Sequence, residues 1–145
     1  MAKFLLIVVA TILLAVIPYE LNAQDATAVP LSGTTSGAVL RSMALKTVRP
    51  VYPQDALRTK KTGVAVVRIH ISLEGTVTRV EVLQAPSASI GNSVEGAVAQ
   101  WRFRPTDGRD GEAPVKLSGK LVFYFEIHAG RGSVLFPSET GYVGR

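Results

Sequence analysis

The segment VKLSGKLVFYFEI, residues 115–127, decides how the rest of this chain is read. Val115, Leu117, Leu121, Phe123, Phe125 and Ile127 fall on one side of an extended backbone. Lys116, Ser118, Lys120, Tyr124 and Glu126 fall on the other. A period of two is the mark of a strand with one face on a core and the other in water. Gly119 stands in the middle of it, where a strand glycine signals either a bulge or a close backbone contact.

Upstream of this strand lies the turn-rich loop TDGRDGEAP (106–114), and before it Arg102-Phe103-Arg104-Pro105, which ends a helix. Asn92 with Glu95 three residues later reads as a capping box. Val94, Ala97, Val98 and Trp101 then form one apolar stripe. Trp101 is read as core, at the end of that stripe, rather than as a recognition residue. Gly96 weakens the helix by about 1 kcal/mol relative to Ala and is expected to let it approach the sheet. PSASIG (86–91) is expected as a loop.

Further upstream the period of two returns. Ala65, Val67, Ile69, Ile71 and Leu73 alternate with Val66, Arg68, His70 and Ser72, and Glu74-Gly75 supplies a turn. Thr76–Gln84 forms the returning strand, and the slip in phase between Val77 and Val80 predicts a bulge near Thr78 or Arg79. Pro50 and Pro53 impose extended backbone before them. Pro53 is expected as the first residue of a short helix over 53–59, with Asp55 in its first turn and Lys60 and Lys61 beyond its last.

The predicted architecture is therefore α+β and two-layered: a three-stranded antiparallel sheet packed with two helices. Its expected core is Val67, Ile69, Ile71, Val80, Val82, Val98, Trp101, Leu121, Phe123 and Phe125. Residues 24–45, rich in Ala, Ser, Thr and Gly, read as a flexible linker. Residues 46–128 form the domain. Residues 129–145 read as a Gly-rich tail whose one strand-like pattern is Val134–Phe136.

The N-terminus has its own signature. Lys3 precedes the apolar run FLLIVVATILLAVI (4–17), and a small residue, Ala23, offers a cleavage position. That order is an export segment over residues 1–23, either a cleaved signal peptide or a retained membrane anchor. At about 1.5 Å per residue the run rises roughly 21 Å, short of the roughly 30 Å of a hydrocarbon core.

With 145 residues the chain suits one domain. It holds no cysteine, so neither disulfides nor a lipid-modified Cys contribute. The net charge of +5 is unchanged by removal of residues 1–23, which takes away Lys3 and Glu20 together. It favours acidic surfaces. No nucleic-acid signature accompanies it. His70 and His128 lie far apart without ligand spacing, and no nucleophile elbow, H-E-x-x-H or phosphate loop occurs. The reading is of a non-enzymatic domain with no metal and no cofactor. Arg102, Arg104 and Arg109 read as an ordinary solvated basic patch.

Several pieces in order resemble the C-terminal domain of TonB, the energy transducer of Gram-negative envelopes. Pro50-Val51-Tyr52-Pro53 is similar to its P-x-YP entry, Gly63 to Ile71 and Glu74-Gly75 to its first hairpin, and Val80-Glu81-Val82-Leu83 to its second strand. Ala99-Gln100-Trp101-Arg102-Phe103-Arg104-Pro105 is similar to the W-R-[FY]-x-P signature, and Gly111 to Val115 with Phe123-Tyr124-Phe125 to its last strand. The match spans residues 47–127.

The resemblance implies a periplasmic module, free or tethered to the inner membrane through residues 4–17. Such a module grips the TonB box of an outer-membrane transporter by strand addition, in energy-coupled transport. Carried onto this chain, the peptide-binding residues are Leu117, Lys120, Leu121, Val122, Phe123, Tyr124 and Phe125, flanked by Arg49, Pro50, Val51 and Tyr52. Arg49 stands where TonB commonly has Gln. Partners implied are the transporter peptide, and inner-membrane motor proteins if the N-terminal run is retained. Peptidoglycan and a second copy pairing edge to edge complete the set.

TonB proteins that transmit force carry a long Pro- and Lys-rich linker. The 22 residues at 24–45 lack that composition and extend only to about 75 Å. The alternative reading is a secreted structural or cell-wall-binding domain without a transport role.

Overall fold

The structure, a computed structural model, describes residues 31–136. The expected export segment and the first residues of the expected linker lie outside them, as does the end of the expected tail. Among the described residues no helix is long and apolar enough to cross a membrane.

The long alternating segment forms β6 (Val115–His128), and its inner residues Leu121, Phe123 and Phe125 are fully buried. Along one border it pairs antiparallel with β3 (Gly63–Ile71), from Gly63↔Phe125 to Ile71↔Leu117. β3 pairs in turn with β4 (Val77–Gln84). The register shifts between His70 and Ile71, leaving Thr78 as an extra residue, the bulge that the phase slip predicts. Gly75 makes the turn with φ +83°, and a Cβ there would run into the Phe103 carbonyl.

Two short helices and one longer one cover the inner face. α2 (Gln54–Arg58) starts one residue later than the proline pattern suggests, with Pro53 extended in the cap position. α3 (Ala88–Val98) starts four residues before Asn92. The expected loop PSASIG becomes its first turn because Ser87 Oγ accepts from Ile90 N at 3.3 Å, an N-cap that outcompetes Asn92. This start brings Ile90 into the buried stripe with Val94, Ala97 and Val98. Trp101 is fully buried and donates Nε1–H to the Val48 carbonyl at 2.9 Å.

The larger correction concerns the two ends. Most of the expected linker is folded: β1 (Leu31–Thr35), α1 (Gly37–Met43) and β2 (Ala44–Lys46). Ser36 caps α1 by accepting from Val39 N. Leu40 goes fully into the core, a burial worth about 2 kcal/mol. β2 forms a small ladder with β5 (Arg102–Phe103). The expected tail begins with β7 (Arg131–Leu135), joined to β6 by a turn in which Ala129 and Gly130 both have positive φ. The predicted three-stranded sheet is thus five-stranded, in the order β1-β6-β3-β4 with β7 also on β6, and it is packed with three helices.

Other core expectations shift accordingly. Val82 is 39% exposed at the β4 edge, where no further strand among the described residues covers it, and Val80 is half-buried. The core gains Leu40, Tyr52, Ala56, Ile90, Val94, Phe103 and Phe136.

Candidate functional site

A strand that is to receive a guest needs a border of unpaired N–H and C=O groups. β6 has one border on β3, so the guest border is the other one. That border is not open, contrary to the expectation for Leu117 to Phe125. Its first part, Val115–Gly119, pairs in parallel with β1, with Gly33 opposite Leu117. Its last part, Tyr124–His128, pairs antiparallel with β7, with Leu135 opposite Tyr124 and Val134 opposite Phe125. Between them lie residues 120–123, where the Lys120 carbonyl faces α1 so closely that a Cβ on Gly37 would stand 2.5 Å from it. The occupants are the chain's own ends.

Of the predicted site residues, Leu121, Phe123 and Phe125 turn fully buried side chains into the core, so only their backbone can meet a partner. Val122 and Tyr124 are half-buried on the helix-free face, and Lys120 is exposed there. The flanking segment is brought against this border at the β7 half. Tyr52 is 7% exposed. Its ring stands edge-on to Phe125 at 5.3 Å, and its phenol donates to the Lys61 carbonyl. Burial raises its pKa above the usual tyrosine value. Pro50 is buried. Val51 is 75% exposed, and its carbonyl accepts from Ser93 Oγ at 2.6 Å.

Arg49 and Tyr52 hold the resident strand. Arg49 Nη1 donates to the Val134 carbonyl at 3.4 Å. Its guanidinium lies 5.6 Å from the Phe136 ring centroid, within cation–π range. Gly132 lies so close to the Tyr52 ring that a Cβ would stand 2.5 Å from Cδ2. Phe136 follows into an aromatic cluster, 5.1 Å from Phe123 and 6.0 Å from Trp101. Sequence reasoning missed β1 and Gly132, and read the end of β7 with Phe136 only as a strand-like pattern within a tail. A two-residue turn at Ala129-Gly130 followed by an apolar run was the signal available for the second half.

The chain matches the family of Gram-negative bacterial TonB protein C-terminal domains over residues 48–127. It belongs to that family. In structure it is similar to the solution structure of the Pseudomonas aeruginosa TonB C-terminal domain, at 30% identity. That similarity covers 61% of this chain and 88% of the other, with a TM-score of 0.49. No curated protein matches it. Membership implies a TonB-type role in transport at the Gram-negative envelope. The TonB segment runs from just before Arg49 to just before His128, so β1, α1, β2 and β7 all lie outside it. Both strands that cover the guest border therefore lie outside the matched segment.

Among the described residues no group of His, Asp and Glu is arranged to hold a metal ion.

Proposed function

We propose that this TonB-type domain binds an extended peptide, the TonB box of an outer-membrane transporter, by strand addition to Tyr124–His128 of β6, with the guest replacing β7. The observation that supports this most is that the border already holds an extended five-residue segment gripped by Arg49 and Tyr52. β7 is a peptide in place: main-chain pairing supplies the attraction, and the flanking side chains clamp it. Its own side chains from Gly132 to Leu135 are only half-buried, so exchanging it for another strand costs little apolar burial.

Gly132→Val separates the outcomes. The added side chain collides with Tyr52 and Leu57 and loosens β7, while Phe136 stays available to the core. A synthetic TonB-box peptide titrated into the full chain is expected to shift the backbone amide signals of residues 124–128 by NMR. The variant is expected to bind about tenfold more tightly, because the resident competitor is weakened. Unmoved signals in both proteins at millimolar peptide reject strand addition here.

One observation favours a second reading: both halves of the guest border are closed by the chain itself. In that reading the domain is structural or cell-wall-binding and takes no transporter peptide. It requires that Gly132→Val gain no peptide affinity and that the full chain sediment with purified peptidoglycan in a salt-reversible way.

A further inference from the structure

The three helices cover one face of the sheet; the other face is helix-free and carries a cluster of cations. Arg68 on β3 stands directly opposite Lys120 on β6, and like charges in that position repel. Arg68 is also paired with Glu81, and His70 with Arg79. Glu81 is shared by three partners: Arg79 at 3.0 Å, Arg68 at 3.5 Å and His70 at 3.5 Å. Lys116 and Lys120 are exposed on the same face, either side of Ser118, and form no ion pair with a described residue. Four cations, Arg68, Arg79, Lys116 and Lys120, thus share one broad surface with two carboxylates, Glu81 and, at the far end of β6, Glu126. Beside them lies a half-buried apolar band that includes Val122 and Tyr124.

We propose that this helix-free face docks onto anionic phospholipid headgroups. Charge complementarity is the first argument: the cations outnumber the carboxylates of the face, so an external anionic surface relieves the repulsion that Glu81 leaves, and the breadth across three strands suits a surface rather than a single small ion. Position is the second. Only residues 18–30 separate the apolar run 4–17 from β1, which borders this face. Even fully extended, those residues reach about 45 Å, so a retained run keeps the domain, and with it this face, within reach of the bilayer. Each Lys or Arg close to an anionic leaflet favours the bound state roughly fivefold. The inference is independent of the peptide reading, because it uses the face of β6 and not its border.

The absence of cysteine makes the test clean. The full chain is reconstituted in phosphatidylcholine vesicles and in vesicles of seven parts phosphatidylcholine to three parts phosphatidylglycerol, both carrying a headgroup-attached quencher. A fluorophore is placed at Ser118→Cys or, as control on exposed α3, at Glu95→Cys. Quenching at 118 is expected to rise severalfold in the anionic vesicles and to fall back at high salt, with 95 unaffected. Lys116→Glu combined with Lys120→Glu, checked for an unchanged thermal melt, is expected to lower the ratio of docked to undocked protein by more than about 25-fold, which abolishes the rise in quenching at 118. Equal quenching at 118 and 95, indifference to lipid charge, or a charge-reversed variant that still responds overturns the proposal. So does protection of position 118 by soluble peptidoglycan fragments when vesicles give none.

Discussion

Tyr52 shows how much one side chain carries at this border. Its ring packs on Phe125 and closes over Gly132, and its phenol bonds the Lys61 carbonyl. Burial disfavours the tyrosinate and raises its pKa above 10.0. A group whose folded pKa is raised contributes stability that is fully present below its unfolded value. That contribution is lost as pH rises through the folded value. Tyr52→Phe is therefore expected to be less stable than the wild type by about 1 kcal/mol near neutrality, where a hydrogen bond to Lys61 disappears. Above about pH 10 only the wild type has a buried phenol to ionise at this position, so the gap narrows and then reverses. Urea unfolding of both proteins across that range checks it; a constant gap would show that the phenol is not desolvated.

At the scale of elements, legibility in the sequence followed how local the deciding interaction is. β3, β4 and β6 were readable because a period of two is written in consecutive residues, and so was the extra residue at Thr78. Gly119 was readable as an anomaly. Of its two readings the close backbone contact holds, but the contacting atoms could not be named, because they are the Thr35 carbonyl and Leu40, far away in sequence. β1 and β7 were hidden for a related physical cause. Each is a short border strand with little side-chain burial, so β1 carries no apolar pattern and that of β7 is limited to its end at Val134–Leu135, and both form because β6 offers them main-chain partners. The site residues were thus located on the right strand, while the occupant of their border could not be seen. α3 gives the same lesson in a testable form. Gly96, expected to allow close packing, has nothing within 4 Å of where a Cβ would stand, whereas Gly91 faces Val82 and Ala85 at 3.4 Å. Gly96→Ala is expected to stabilise the protein by about 1 kcal/mol, raising Tm by roughly 4–8 °C. Gly91→Ala should gain clearly less. Calorimetry on both variants decides; a larger gain for Gly91→Ala would mean that the helix sits farther from the sheet than described.

For the whole molecule, the borders of β4 and β6 bear on whether copies associate. The β4 border is guarded: register shifts make Thr78 and Leu83 extra residues, and Arg79 and Glu81 stand between them. Bulges and charges of this kind discourage edge-to-edge pairing. The β6 border is guarded differently, by the chain's own strands at each end. The edge-to-edge dimer that an open β6 would allow therefore has no β6 border available in the intact fold, and the outer borders left among the described residues are those of β4, β1 and β7. Removing residues 129–145 uncovers the main-chain groups of Tyr124–His128 and also takes Phe136 from beside Phe123 and Trp101. The truncated chain is expected to self-associate in a concentration-dependent way, and Gly132→Val, which keeps Phe136, to do so more weakly. Sedimentation velocity in detergent-free buffer, on protein lacking the apolar run, measures both against the untruncated control. If truncation leaves a monomer at about 100 µM, the exposed border has little tendency to recruit a strand, and a transporter peptide would have to be held by side-chain contacts instead.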